Sequence, residues 1–386
     1  MLKLMIPGPT EVSSAVREEM GRPMQPHYGP QWCELYDQVI DKLKQIFRTE
    51  NDLYVLAATS SSTMELAVSH AVEPGESILI CNNGVFGDRF TEMAEWHDAR
   101  VITSRSEYGY PITGEQISKA LQEHPEVKAL AVVHNESSTA VESNLQEIMQ
   151  AAATYPKVLT IVDCVSSMGG VDIPTDELGI DYCLSGSQKC FGAPAGLGFI
   201  SVSPKAWERI TDRREAVRGW YLNLSVLRQY REKWIKWHPQ GPNTAPVSLY
   251  RALNQALDEI LNEGLDNRFA RHTQARDAFR AAVRAMGLEL YVPDRWASRT
   301  LTAVCLPQGI DGSKLREKIE KRHHILLAGG LGATADTVVR VGHLARTATP
   351  EYLLPTIVAL EEELATLGAK INIGRGEAAF REVFRQ

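Results

Sequence analysis

VLTIVDCVSSMGGVDIPTDELGIDYCLSGSQKCFGAPAGLGFISVS, residues 158–203, is the stretch on which the fold turns. Its apolar runs VLTIVD (158–163), DYCLSG (181–186) and GFISVS (198–203) read as short strands. Outward from it, LYVLA (53–57), SILIC (77–81), ARVITS (99–104) and VKALAVVH (127–134) read the same way. The segments 63–71, 114–122 and 144–154 lie between these runs and carry apolar residues at helical spacing. Continuous apolar strands alternating with helices imply an α/β chain whose sheet is largely parallel and covered on both faces. Its ligand site then belongs beyond the carboxyl ends of the strands.

At roughly 150 residues per domain, 386 residues make two or three domains. Residues 1–20 read as an N-terminal arm, 21–285 as a large domain and 286–386 as a smaller α+β domain. The small domain would hold LELYV, LTAVCLP, HHILLA and VVRVGHL, with helices near 312–322 and 350–367. Residues 243–286 read as an interrupted helical stretch, and GRGEAAFREVFRQ (374–386) as a short charged helix with no obvious docking site. The 41 basic and 48 acidic residues leave a net charge of -7, which argues against a broad nucleic-acid surface but allows a local basic pocket for a small anion. No run of about 18 apolar residues occurs, and Pro7, Gly8 and Pro9 break the start before a signal core could form. A cytoplasmic protein without a membrane span is expected. The six cysteines (33, 81, 164, 183, 190, 305) form no CxxC pair and mostly sit in apolar runs, as reduced thiols do. His134, His323 and His324 match no ligand spacing, so no metal is expected.

The chemistry concentrates where strands end. Lys189, in SGSQKCFGAPAGLG (185–198), follows a strand among small residues that let a ligand approach the backbone. Alone it would be a loop lysine. Asp163 terminates the apolar run VLTIVD, so its carboxylate belongs on the rim that carries Lys189; alone it would be a turn or cap residue. A pyridoxal phosphate enzyme needs that pair. The lysine binds the cofactor aldehyde covalently, and an acid opposite keeps the pyridine nitrogen protonated. Thr59, Ser60 and Ser61 stand between a strand and a helix, where hydroxyls and free N–H groups can meet a phosphate.

These residues, with PGPT (7–10), NNGVFGDR (82–89), HNESST (134–139) and GGLG before VVRVGHL, resemble the class V aminotransferases of pyridoxal phosphate fold type I. The similarity runs through nearly the whole chain in order and is most specific at SGSQK. Within the class it points to the alanine, serine and ureidoglycine:glyoxylate or pyruvate aminotransferases. The resemblance implies Lys189 as the cofactor lysine and Asp163 as the partner of the ring nitrogen. Val165 would pack under one ring face, and Phe86, where relatives often have Trp, would stack on the other. Thr59, Ser60, Ser61 and Gln188 would bind the phosphate, and Thr244 of QGPNTAPV would reach it from the second subunit of a homodimer. Ser137 would contact the ring substituents, and Arg340 would fork the substrate carboxylate. Two departures stand out: Ser60 and Ser61 replace a frequent Gly and His, and Gly241 replaces an aromatic. HYGPQW (27–32) also differs from the expected HRSPEF-like form, in a segment expected to shape the substrate pocket.

The expected reaction is a ping-pong transfer from a small amino acid to glyoxylate or pyruvate. The donor's identity would depend on residues near Met5, Tyr28 and Phe86. A dinucleotide site at Gly330, Gly332 and Ala335 (GxGxxA) would need a following helix, whereas TVVRVGHL reads as a strand. Other class V chemistry, a ureidoglycine or aminophosphonate transaminase, a lyase or a cysteine desulfurase, is the alternative. Desulfurases resemble SHK at the lysine and stack a histidine on the ring, whereas this chain has Gln188 and Phe86. A binding protein of the same fold would have no need of the Lys189 and Asp163 pairing.

Overall fold

A computed structural model of the chain describes residues 2–384. In chain order its strands are β1 (Lys3–Leu4), β2 (Asp52–Leu56), β3 (Ser77–Asn82), β4 (Arg100–Arg105), β5 (Val127–Val133), β6 (Asn135–Glu136) and β7 (Val141–Glu142). There follow β8 (Leu159–Asp163), β9 (Tyr182–Gly186), β10 (Gly198–Val202), β11 (Leu301–Cys305), β12 (Ile325–Leu326), β13 (Ala328–Gly329) and β14 (Val338–Gly342). The seven expected strands form one sheet in the order β2-β10-β9-β8-β5-β3-β4, in which only β10 runs antiparallel to its neighbours. The inner strands are mostly apolar because both their faces are covered, while the edge strand β4 leaves Arg100, Thr103 and Arg105 exposed. Alternate residues such as Leu79, Leu130, Val162 and Phe199 enter one core, while Ile80, Ala131, Ile161 and Ile200 enter the other.

The carboxyl ends of β2, β3, β5, β8 and β9 open on the same edge, and the chain leaves each through a loop or a helix start. The helix Ser60–Ala71 follows β2, and Val85–Trp96 follows β3. The hairpin β6–β7 follows β5. Farther along, the helical stretch splits into Val247–Glu263 and Leu265–Ala285 at Gly264.

The C-terminal region carries an antiparallel sheet of order β11-β14-β13, and β12 pairs in parallel with β1 of the N-terminal arm. Its core takes in Met5 as well as Ala275, Phe279 and Val283 from the long helix, so it draws on chain that precedes residue 286. The terminal helix Arg375–Phe384 has a docking site that its sequence did not disclose. It lies against Leu265–Ala285 with Phe380 buried, and the Gln274 amide donates to the Phe384 carbonyl at 3.2 Å. The GxGxxA segment makes one 3-10 turn, Gly332–Thr334, and passes into β14 with no helix for a dinucleotide.

Candidate active site

A cavity of about 250 Å³ lies at the carboxyl edge of the large sheet. Thr59, Ser60, Ser61, Phe86, Ser137, Asp163, Val165, Gln188 and Lys189 line it, together with Gly8, Pro9, Arg89 and Asn135. The strand ends account for the convergence. Asp163 closes β8 beside β9, and the turn after β9 brings Gln188 and Lys189 back over the same edge. A larger open cleft of about 1040 Å³ runs past Tyr110, Gln116, Glu147 and Arg299 and contains none of the expected site residues; the lysine and the aspartate are in the smaller one.

At one end of the cavity the helix Ser60–Ala71 begins at Thr59, whose side chain makes no capping bond, so its first N–H groups are open to an anion. The Gln188 amide donates to Ser60 Oγ at 3.0 Å and joins this helix start to the Lys189 turn. Gly186 makes the approach possible, since a Cβ there would lie 1.9 Å from Ser60 Oγ.

Asp163 is 5% exposed, and one of its oxygens accepts the Val165 N–H at 2.8 Å. Burial pushes its pKa up to about 6, with the Val165 N–H, Lys189 and Arg89 pulling the other way and Glu136 adding to the rise. Lys189 Nζ donates to the Pro7 carbonyl of the N-terminal arm. Although the lysine is partly accessible through the cavity, the protein around it pulls its pKa down to about 8, chiefly by desolvation. An amine so placed exists in both protonation states near neutral pH, which suits it to proton transfer.

Arg340 stands on β14 just behind the cavity wall. Its Nη1 donates to the Ser137 carbonyl at 2.6 Å and its Nε to the Gly329 carbonyl at 2.7 Å. Burial lowers its pKa to about 10, against the pull of Glu136, and it remains a cation. The two carbonyls fix the guanidinium plane and leave donors free for a carboxylate.

Other expectations fall elsewhere. Thr244 is exposed and does not line this chain's cavity. Met5 is buried in the C-terminal core, and Tyr28 stacks on Trp237 with centroids 5.2 Å apart, so neither faces the cavity and only Phe86 of that trio does. HYGPQW likewise stays outside the cavity wall. Trp32 instead donates to the Gln240 side chain at 2.6 Å, because these aromatics pack against residues 237–240. His134 is buried and contacts the Ser167 hydroxyl, and burial lowers its pKa to about 4.

The sequence reading passed over Arg89, Asn135 and Glu136. Arg89 lies one turn beyond Phe86, with its guanidinium 4.6 Å from the ring centre. Asn135 Oδ1 is a buried acceptor with no partner among the described residues, in the wall beside Asp163. The signal was present in the quoted motifs: polar side chains placed directly after an apolar strand, where only a ligand or a buried bond would keep them.

A family profile described as aminotransferase class-V matches residues 9–349. The serine–glyoxylate aminotransferase of Hyphomicrobium methylovorum is 33% identical over 390 residues, covering 99% of this chain and 94% of that one. The soluble hydrogenase 42 kDa subunit of Anabaena cylindrica is 36% identical over 386 residues, covering 99% and 98%. Among solved structures, the ureidoglycine-glyoxylate aminotransferase of Bacillus subtilis superposes with a TM-score of 0.94 at 29% identity, covering 100% of this chain and 98% of that one.

Proposed function

The chain belongs to the class V aminotransferase family and is a transaminase, and from that premise we propose that it binds pyridoxal phosphate between Lys189 and Asp163 and moves an amino group from a small amino acid to glyoxylate or pyruvate. The observation that carries the reading is one cavity holding a lysine drawn down to about 8, a buried aspartate and an open helix start. The unpartnered Asn135 Oδ1 fits a wall built for a polar ligand. Ser60, Ser61, Thr59 and Gln188 would hold the phosphate, Phe86 and Val165 the ring, and Asp163 a proton on the ring nitrogen.

When bound, the cofactor supplies an aldehyde that takes the amino group and a cationic ring that draws electrons from the donor's Cα. The chain's own residues do the rest. Arg340 holds the α-carboxylate and so presents the Cα to Lys189. Lys189 Nζ accepts the proton leaving that carbon, and in the second half-reaction it delivers a proton to the Cα of the new amino acid. Asp163, kept from water, makes protonation of the ring nitrogen favourable.

Thr244 would act from a second subunit. The exposed aromatics Trp220, Tyr221, Trp234 and Trp237 around it support a homodimer interface. The unpaired, mostly buried cysteines fit a reducing, cytoplasmic setting, and no helix among the described residues is long and apolar enough to cross a membrane. Among the described residues, the one group of three His, Cys, Asp or Glu side chains close enough to share an ion is His323, Glu362 and Glu363, with no thiol.

The test is a panel of amino donors, alanine, serine, ureidoglycine and an aminophosphonate, mixed with the purified protein while the visible spectrum is followed. Conversion to the aminated cofactor by at least one of the small amino acids is expected. No conversion with any of them would overturn the reading.

A further inference from the structure

Glu136, at the end of β6, is fully buried and has no cation within ion-pair distance among the described residues. Four donors surround its carboxylate. The N–H groups of Phe86 and Gly87 reach Oε2 at 3.0 and 3.3 Å, and the Ser138 N–H and hydroxyl reach Oε1 at 3.0 and 2.6 Å. A carboxylate can accept about four hydrogen bonds, so this one is saturated.

Two of those donors belong to the helix Val85–Trp96, which starts at Gly84 and therefore has no capping side chain of its own. The Val85 N–H goes to Ser138 Oγ at 3.1 Å. The first three amides of the helix that presents Phe86 are thus all satisfied by Glu136 and Ser138, some fifty residues away. An anion at a helix N-terminus is also the favourable sign. The contact is close: a Cβ on Gly84 would lie 2.4 Å from Glu136 Cγ and 2.5 Å from Ser138 Oγ. The same turn fixes the other end of the site, because the Ser137 carbonyl receives Arg340 Nη1 and the Ser138 carbonyl receives the Thr334 hydroxyl at 3.5 Å.

We propose that Glu136 is a positioning residue of the site: through one saturated carboxylate it sets Phe86, on the helix that follows β3, and Arg340, on β14, at a fixed separation. The proposal rests on the transaminase reading above. An amide in place of the carboxylate would turn an N–H toward one of these donor pairs, so either the helix start or the Ser138 turn would lose its acceptor. The stacking side chain and the carboxylate fork would then no longer hold their mutual position.

The test compares the parent with Glu136→Gln and Ser138→Ala. Steady-state kinetics are run on the cofactor-loaded proteins and amide hydrogen exchange on the cofactor-free ones. Glu136→Gln should raise the KM for the amino donor about tenfold and lower kcat about tenfold. Exchange at residues 85–87 should speed up at least about tenfold while the helix Gly114–Glu123 stays at the parent rate. Ser138→Ala should shift the same quantities in the same direction by less, and it carries the test if Glu136→Gln does not fold. Faster exchange with KM and kcat within twofold of the parent would overturn the proposal, leaving Glu136 a helix cap only. Unchanged exchange at 85–87 would overturn it too. Failure of the functional reading is distinguishable, since the parent itself would then transfer no amino group.

Discussion

Around Lys189 the side chains of Asp163, Glu136 and Arg340 are buried and their bonds close within the chain, whereas between Trp220 and Thr244 the indoles of Trp220, Trp234 and Trp237 are 55%, 42% and 51% exposed. Within that stretch Tyr221 donates to the Ala57 carbonyl at 3.0 Å, at the end of β2, and Asn243 donates to the Tyr221 hydroxyl at 3.2 Å. Tyr221 is therefore anchored near the cavity, although none of the exposed aromatics of this stretch lines it. The first region brings together the charged groups of the proposed chemistry, held by bonds within one chain. The second presents apolar area that water does not stabilise, as the proposed homodimer interface requires.

The sharpest way to break the comparison is to remove the group on which the first region turns. Lys189→Ala should lose turnover by on the order of 10⁴-fold or more, because among the described residues no other amine lines the cavity to bind the cofactor and carry the proton. Steady-state rates near the parent's would end the assignment. Asp163→Asn should keep the fold and slow the chemical step by about 10² to 10³-fold, since a neutral amide cannot favour a protonated ring nitrogen. Single-turnover mixing reads it, and an unchanged rate would give the role to another residue. Arg340→Lys should raise the KM for amino and 2-oxo acids about tenfold or more while cofactor affinity stays level, because a point charge cannot reproduce the fork. Equal KM values would place the carboxylate elsewhere.

Lys189 and Asp163 were legible because parallel sheets put polar groups at strand ends, whereas Arg340, in the middle of β14 in the antiparallel sheet, was reached only through the family resemblance. The inner strands were readable because both their faces are covered and their runs stay mostly apolar, whereas the edge strand β4 showed only Val101 and Ile102 as its apolar signal. Glu136 was not legible, because its donors come from Phe86 and Gly87, and no periodicity links residues fifty positions apart. Met5 and Tyr28 misled for a related reason. They flank the right motifs in sequence, but one is drawn into the C-terminal core and the other onto Trp237. The terminal helix disclosed its amphipathic pattern but not the helix that would cover it.

Acid should separate the two regions in a smaller way. His70 accepts the Leu224 N–H at 3.0 Å and so holds the start of the helix Leu224–Trp234. It works only as the neutral ring, and burial lowers its pKa to about 4. Unfolded, the ring titrates near the ordinary 6.5. Above that pH neither state is protonated and the contribution is fully present; as pH falls from about 6.5 toward 4, the unfolded state takes up a proton that the folded state refuses, so stability is lost. At pH 5 the loss is on the order of 2 kcal/mol from this ring. His134, at about 4, and His343, at about 3, push in the same direction. Thermal melting from pH 7.5 to 4.5 checks it, and a flat profile would mean that these rings ionise without opposition.

The smallest effect bears most directly on the second region. Thr244 is exposed and does not line the Lys189 cavity of its own chain, so within a monomer its hydroxyl would not reach a cofactor there. In a two-fold dimer each subunit would offer Thr244 to the other's phosphate, and each site would be complete only when both chains are present. One neutral hydrogen bond contributes roughly 1 kcal/mol, so Thr244→Ala should weaken cofactor binding about three- to tenfold and leave melting of the cofactor-free chain unchanged. The same linkage makes cofactor-loaded protein dissociate at lower concentration than cofactor-free protein, because whatever binds the dimer favours it by mass action. Trp237→Ser should move the dissociation midpoint upward in both forms without touching Lys189. Sedimentation across a dilution series, with cofactor titrations on Thr244→Ala alongside, separates the possibilities. A fully active monomer, or cofactor affinity that ignores Thr244, would mean that the aromatic stretch serves some other contact and that the Lys189 site is complete in one chain.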